Sequence, residues 1–332
     1  MALRAVVIGA GWAGEGHTIA LRDAGVEVVA LCGRTPEPAY ARATQLDIAD
    51  VRFDWRATLT ELRPDIVTIG TPGDTHSEIA RHALALGCHV MCEKPLALNA
   101  SDAQAMLDAA VRTGVKHAYG PTARYAPAVI YAQELVAQGV IGPVREIAFT
   151  SRGEFPPFPF GWVHELTRGG GLLNNVFTHN LAQMLRVTGG TAVAGIGATT
   201  PFHGQAPVGP QIHDFRELFG PISGWDPAQA TEWRTADADA AYTVIVEVRM
   251  PEGHVAEATF TNSMYGQSPV AGDLAIFCGD EGTLAFNSDW GAAPLDLKLY
   301  RKDRAAWEDL RVPTSVLTSQ PQVEDTIQRY WN

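Results

Sequence analysis

The residues most capable of chemistry fall in three short stretches. The first is Gly9-Ala10-Gly11-Trp12-Ala13-Gly14, a G-x-G-x-x-G. It follows an apolar run and opens a stretch with helical spacing, the context in which this pattern binds a dinucleotide. Gly9 allows a tight turn, Gly11 lets the backbone approach a pyrophosphate, and Gly14 allows a helix to pack close on a strand. The pyrophosphate would sit at the helix N-terminus, where free N–H groups and the dipole favour anions. The other reading is a tight strand-to-helix turn with no ligand. The second stretch is Met91-Cys92-Glu93-Lys94-Pro95-Leu96. Lys94 is one of only four lysines and lies between an apolar strand and a proline. An ammonium there can donate to a substrate oxygen and exchange a proton; the alternative is a structural lysine paired with Glu93 or with backbone carbonyls. The third stretch holds Asn175 and His179, whose i, i+4 spacing puts them on one helix face, away from the stripe of Leu173, Phe177, Leu181 and Met184. Asn175 gives and accepts hydrogen bonds but does not titrate. His179 titrates near neutrality, or is a hydrogen-bonded core histidine.

The cofactor's form is legible further on. The second apolar run ends Cys32-Gly33-Arg34-Thr35. NAD sites commonly carry an acid here for the ribose 2′-hydroxyl. Gly33 removes that carboxylate, and Arg34 and Thr35 are placed to bind a 2′-phosphate. NADP(H) is therefore the preferred cofactor, with NAD(H) as the alternative and Arg34 then a solvated loop arginine.

These stretches need elements to position them. Apolar strand patterns at 4–9, 26–32, 65–70, 89–92 and 116–119 alternate with helical patterns at 14–24, 38–46, 75–86 and 101–113. Such alternation with short connections predicts a parallel, doubly wound α/β sheet whose ligands sit at the carboxyl ends of the strands. The pattern changes near Gly120-Pro121. A helix is expected over 127–138 and another over 172–188. Strands are expected at 144–151, 192–199, 241–250, 254–262, 273–278 and 295–301, with hairpin chemistry at Pro251-Glu252-Gly253. This predicts residues 1–120 as a dinucleotide-binding Rossmann domain. Residues 121–332 then form an α+β domain for substrate and oligomerisation, on a large, mostly antiparallel open sheet. Residues 155–162, with three prolines, cannot be regular. The Gly- and Pro-rich stretch 201–233 is long enough to read as a functional cover or as disorder. Val323, Ile327, Tyr330 and Trp331 have helical spacing, so the sequence ends inside an amphipathic helix; a covering partner or further sequence is expected there.

Composition bounds the partners. Hydrophobic residues make up 46% and charged residues 19%, as in a globular chain. A net charge of −12 gives no general attraction for nucleic acid or an anionic membrane. No apolar run reaches the roughly 18 residues of a membrane span. The N-terminus enters a strand pattern at once, so no signal peptide and a cytoplasmic location are expected. Cys32, Cys88, Cys92 and Cys278 lack C-x-x-C spacing and read as reduced core residues. His203, His213 and Asp214 have no defensible ligand spacing, so no metal is expected. Asp237 and Asp239 read as turn and strand-entry residues.

Several further pieces are in order: Thr71-Pro72 with His76; Glu93-Lys94-Pro95; Arg124-Tyr125-x-Pro127; Gly139-x-Ile141-Gly142; Gly169-Gly170-Gly171-Leu172-Leu173 leading to His179; and Gly279-Asp280-Glu281-Gly282-Thr283-Leu284. Together with the N-terminal glycines, they make the chain resemble the Gfo/Idh/MocA family of oxidoreductases, which includes glucose–fructose oxidoreductase and inositol dehydrogenase. The resemblance spans about residues 5 to 286. It implies NAD(P)-dependent hydride transfer on sugars, cyclitols or related carbonyl compounds, with the nicotinamide between the domains near Lys94. It places Trp12, Ala13, Thr71, Pro72, His76, Glu93 and Lys94 on the cofactor side. It implies a cis Lys94–Pro95 bond, as X-Pro bonds allow at small cost, and a homodimer or homotetramer through the C-terminal sheet.

One departure stands out: relatives commonly carry Asp where this chain has Asn175. That residue cannot act as a carboxylate base or raise the pKa of His179 by charge. In the implied mechanism Lys94 and His179 polarise the substrate oxygen and exchange its proton, while Asn175 orients a hydroxyl. Arg124, Tyr125, Trp162 and His164 are candidates for the substrate side; Trp162 offers a sugar-stacking face. A different class also fits the scaffold, a dinucleotide-binding regulatory or interaction protein with degraded catalysis. A third reading is an enzyme that uses a retained cofactor transiently.

Overall fold

The structure, a computed structural model, describes residues 2–154, 157–202, 204–214, 216–217, 222, 224–266, 273–287 and 296–318. The helical pattern at 323–331, His203 and part of the 155–162 and 201–233 stretches lie outside the described residues.

The first half is built as its alternation predicts. Strands β1 (Arg4–Ile8), β2 (Glu27–Cys32), β3 (Val51–Arg52), β4 (Ile66–Ile69), β5 (His89–Glu93) and β6 (His117–Gly120) form one parallel sheet in the order β3-β2-β1-β4-β5-β6. Helices α1 (Trp12–Asp23), α2 (Pro36–Gln45), α3 (Trp55–Leu62), α4 (His76–Ala85) and α5 (Ala100–Thr113) connect the strands. β1 is apolar on both sides because it is buried on both. Val6 and Ile8 pack with Val67, Ile69 and Ile79, whereas Val7 packs with Leu31 and Ala43. Each such side chain contributes about 1.5–3 kcal/mol. Asp54 caps α3 by accepting from the N–H groups of Arg56 and Ala57, and Asn99 caps α5 through that of Asp102. α1 differs: Gly11 is its N-cap and supplies no side-chain acceptor, so its first N–H groups stay available to a ligand. β3 and α3 are not anticipated by the sequence patterns. β3 is two residues long, and Asp54 is the one local signal for α3.

The second half is a mixed sheet of β7 (Val144–Arg152), β8 (Thr191–Pro201), β11 (Asp239–Arg249), β12 (Val255–Ser263), β13 (Leu274–Gly279), β14 (Gly282–Asn287), β15 (Asp296–Arg301) and β16 (Ala306–Arg311), in the order β16-β15-β14-β13-β7-β12-β11-β8. Only β7 and β12 pair in parallel. A separate two-stranded ladder joins β9 (Gln205–Pro207) to β10 (Trp233–Thr235) inside the long Gly- and Pro-rich stretch. One face of the large sheet carries Phe149, Phe260, Phe277 and Phe286, packed against α6 (Pro127–Ala137) and α7 (Thr178–Thr188). The rings of Phe149 and Phe260 stack 5.2 Å apart. A final short helix, α8 (Thr314–Thr318), follows β16. The expected helix over 172–188 is not uniform: Leu173–Phe177 is a π-helical turn that runs into α7. Its i→i+5 hydrogen bonding widens the helix locally.

Candidate active site

The strand order reverses between β1 and β4, and ligands of doubly wound sheets bind at that switch point, outside the strand carboxyl ends. A cavity of about 890 Å³ opens there. Its parallel-sheet wall includes Gly9, Gly11, Trp12, Ala13, Gly33, Arg34, Thr35, Thr71, Pro72, Glu93 and Lys94. Gly14 stands behind it: a Cβ at that position would overlap the carbonyl oxygen of Gly9, so only glycine lets α1 start this close to β1.

Gly33 does more than omit a carboxylate. A Cβ there would lie 2.7 Å from the Cβ of Ala39 and 3.3 Å from that of Ala10. The close packing of α2 on the end of β2 therefore excludes any acid at this position. Gly33→Asp is expected to cost about 1–3 kcal/mol of overpacking, and adding Ala39→Gly is expected to recover most of that stability. Urea unfolding of the single and double variants measures both.

His76 is fully buried. Nδ1 lies 2.8 Å from the Pro95 carbonyl oxygen and Nε2 lies 2.7 Å from that of Thr71. It does not line the cavity; it ties the segment of Thr71, which does, to the segment that follows Lys94. Burial pushes its pKa down, against the pull of the two carbonyls.

The reactive end of the cavity joins both halves of the chain. Lys94 follows β5, and its peptide bond to Pro95 is cis, as the resemblance implies. Its Nζ donates to Asn175 Oδ1 at 3.2 Å. The Asn175 Nδ2 donates to the carbonyls of Gly169 (3.1 Å) and Gly171 (2.8 Å), which fixes the amide with its oxygen toward the lysine. Glu93 accepts the Lys94 backbone N–H at 3.1 Å and faces His17 Nε2 at 3.4 Å. Desolvation lowers the Lys94 pKa and the charge of Glu93 opposes it.

His179 is fully buried and is not part of the cavity wall, and it lies close enough to Lys94, the partner of Asn175, to feel the lysine's charge. Burial, with the lysine's charge adding to it, holds its pKa well below the ordinary value. It is neutral at neutral pH.

Asp239, read from sequence as a strand-entry residue, has a larger part. It is buried, and Oδ2 accepts the Leu173 N–H at 2.8 Å, anchoring the turn that carries Asn175. Nothing local in the sequence marks it; the contact joins residues 66 apart.

The substrate-side candidates divide. Trp162 lines the cavity. Arg124 and Tyr125 do not: Tyr125 is 50% exposed, with Arg186 over its ring at 4.9 Å and Arg124 at 5.5 Å. His164 is also displaced from its expected role. It is packed among Phe158, Phe160 and Phe202, with Nδ1 accepting the Gly161 N–H. Burial pushes its pKa down to about 4. Between the ordinary histidine value and that one, the unfolded chain binds the extra proton and the folded chain does not. Stability therefore falls as pH drops through this window, by about 2 kcal/mol near pH 5 from His164 alone. Urea unfolding at about pH 7.5 and pH 5 measures the loss, and His164→Phe is expected to remove this share of it, leaving the part that buried His76 and His179 contribute.

Cys32, Cys88 and Cys92 are buried thiols and Cys278 is partly so. Among the described residues no group of three or more His, Cys, Asp or Glu is placed to hold a metal ion, and no helix is long and apolar enough to cross a membrane.

A parallel sheet of order 3-2-1-4-5-6 with a glycine-rich turn at its switch point defines a Rossmann protein, and the lysine on the same cavity gives it a reactive group. Residues 3–120 match the family model described as "Oxidoreductase family, NAD-binding Rossmann fold", and residues 129–285 match "GFO/IDH/MocA C-terminal domain". The chain belongs to the GFO/IDH/MocA oxidoreductase family. It is 32% identical to D-glucoside 3-dehydrogenase of Escherichia coli over 68% of this chain and 63% of that one. It thus spans less than two thirds of that relative's length. The crystal structure of an NAD-binding oxidoreductase from Klebsiella pneumoniae superposes with a TM-score of 0.79 at 25% identity, over 100% of this chain and 88% of that one. A levoglucosan dehydrogenase in complex with NADH and levoglucosan shares the fold, with a TM-score of 0.80 at 19% identity, over 100% of this chain and 87% of that one.

Proposed function

We propose that this chain is an NAD(P)-dependent dehydrogenase or reductase acting on a CH–OH or C=O group of a sugar, cyclitol or related polyhydroxylated molecule. The observation that carries this reading is the Lys94–Asn175 pair, which sits on the wall of the cavity that also holds the dinucleotide turn. The named sugar dehydrogenases among its relatives support the substrate class.

The glycine turn and the uncapped start of α1 fit a dinucleotide, whose nicotinamide C4 accepts or gives a hydride when bound. Lys94 holds the substrate oxygen and, once neutral, takes the hydroxyl proton during oxidation; as an ammonium it returns that proton during reduction. Asn175 orients the amine through its carbonyl oxygen. Buried, neutral His179 lies close enough to Lys94 to feel its charge and adds to the low-polarity surroundings that favour the neutral amine. Trp162 stacks on the apolar face of the sugar ring. Arg34 and Thr35 favour NADP(H), because no carboxylate at position 33 repels a 2′-phosphate.

In this reading residues 1–120 bind the cofactor and residues 121–332 bind the substrate in a cytoplasmic enzyme. The large sheet's open face mediates a homodimer or homotetramer. On that face Ile196 pairs with Ile245, and they are 74% and 37% exposed.

Titration with NADPH and NADH, with Arg34→Ala as the control, tests the cofactor. Tighter NADPH binding that is lost in the variant supports the assignment, and tighter NADH binding overturns it. A turnover screen with sugars, inositols and keto-sugars tests the activity. Cofactor binding without turnover of any of them would favour a regulatory protein on this scaffold.

A further inference from the structure

Residues 208–214, which follow β9, leave the second half of the chain and reach the dinucleotide turn of the first. Its base is fixed by the β9–β10 ladder and by the Val208 N–H donating to the Glu232 carbonyl at 2.9 Å. Beyond that base, Val208, Gly209, Gln211, Ile212 and His213 line the same cavity as Gly9, Gly11 and Trp12. The carbonyl oxygen of His213 comes within 3.3 Å of where a Cβ on Gly11 would stand. A pyrophosphate at the start of α1 is therefore roofed by this segment.

Two carboxylates and two guanidinium groups pin the segment down. Arg42 on α2 is only 9% exposed. It donates to the Ala10 carbonyl at 3.2 Å, to Gln45 Oε1 at 2.7 Å, to Glu15 of α1 and to Asp214 Oδ2 at 2.7 Å. Arg216 donates to both oxygens of Asp214, at 2.9 and 2.5 Å, and to Glu15. The four charges cancel. Asp214 is the member that connects the strap to Arg42, and its removal leaves a largely buried guanidinium with one carboxylate fewer. The cluster has no spare charge for a ligand, so its product is mechanical: it holds residues 208–213 against the glycine turn.

We propose that residues 208–214 are a strap completing the cofactor site, and that Asp214 is the positioning residue that keeps the strap closed and so limits cofactor release. The inference rests on the dinucleotide-binding reading above. The strap must lift for a bound dinucleotide to leave sideways from Gly11, and lifting it breaks the Asp214 contacts with Arg42. A positioning role of this kind acts on exchange of the cofactor and not on hydride transfer itself.

The test is the rate of cofactor release from the full chain loaded with NADH or NADPH, followed by fluorescence while excess oxidised cofactor is added. Asp214→Ala is expected to speed release at least tenfold, and Arg216→Gln to speed it by a smaller factor. High salt, about 0.5 M, is expected to speed release from the parent protein and to have much less effect on Asp214→Ala, because it screens the pairs that this variant already lacks. Melting temperatures separate this effect from a general loss of structure; if Asp214→Ala does not fold, Arg216→Gln, which alters a more exposed member, carries the measurement. Release unchanged in the folded variants and by salt would overturn the strap while leaving the dinucleotide site intact. Failure of the parent protein to bind either cofactor would overturn the dinucleotide reading itself, and the strap with it.

Discussion

Replacing Lys94 with alanine is expected to lower kcat by about 10²–10⁴-fold, the usual span for losing a positioned proton-transfer group, while cofactor affinity changes by only a few-fold. The other members of the reactive cluster cannot substitute. Asn175 does not titrate, and His179 is buried and held neutral. Glu93 is committed to the Lys94 backbone and to His17. Lys94→Arg is not expected to rescue the rate, because a guanidinium stays protonated and cannot take the hydroxyl proton. The pH profile gives a sharper check. Burial lowers the lysine's pKa, so the rate of alcohol oxidation should rise with pH on a limb lying below the ordinary lysine value and should level off above it. That limb is absent from the residual rate of Lys94→Ala. Equal kcat in the two proteins would remove the lysine from the mechanism.

Much of the fold is visible in the sequence because a parallel sheet buries its strands on both faces, so runs such as Val6-Val7-Ile8 stand out as continuous apolar segments. Gly9, Gly11, Gly33 and Lys94 were identifiable for a related reason, since each adjoins one of those strands. The second half was harder. β14 starts within the Gly279-to-Leu284 stretch and β16 is a charged edge strand with alternating exposure, so neither reads as an apolar run. The resemblance and, for His179, the i, i+4 spacing with Asn175 point His164 and His179 to the cleft, and both are buried; the aromatic cluster around His164 and the nearness of His179 to Lys94 are tertiary facts. Asp214 illustrates the same limit. It reads as a loop residue until Arg42, 172 positions away, is found against it.

Replacing Asn175 with the aspartate that the resemblance implies, Asn175→Asp, is expected to harm this protein. The Asn175 amide nitrogen donates to the carbonyls of Gly169 and Gly171, and an aspartate would place an oxygen where that nitrogen now stands. Two acceptors would lose their donor and face a third acceptor, at about 1–3 kcal/mol for each group left unsatisfied. The variant should therefore unfold at lower urea than the parent at about pH 8. Repulsion from the two carbonyls raises the aspartate's pKa in the folded state and the Lys94 ammonium beside it lowers it, so the direction in which the stability difference moves with pH reports which of the two prevails. At alkaline pH the ionised aspartate also lies beside Lys94 and favours its ammonium form. The rising limb of alcohol oxidation should then move to higher pH, and the rate near neutrality should fall. Unfolding curves at two pH values and a kcat/KM profile together decide the matter. An Asn175→Asp protein as stable as the parent and faster at neutral pH would show that the backbone here accepts the carboxylate, and that Asn175 is not fitted to the carbonyls of the glycine turn.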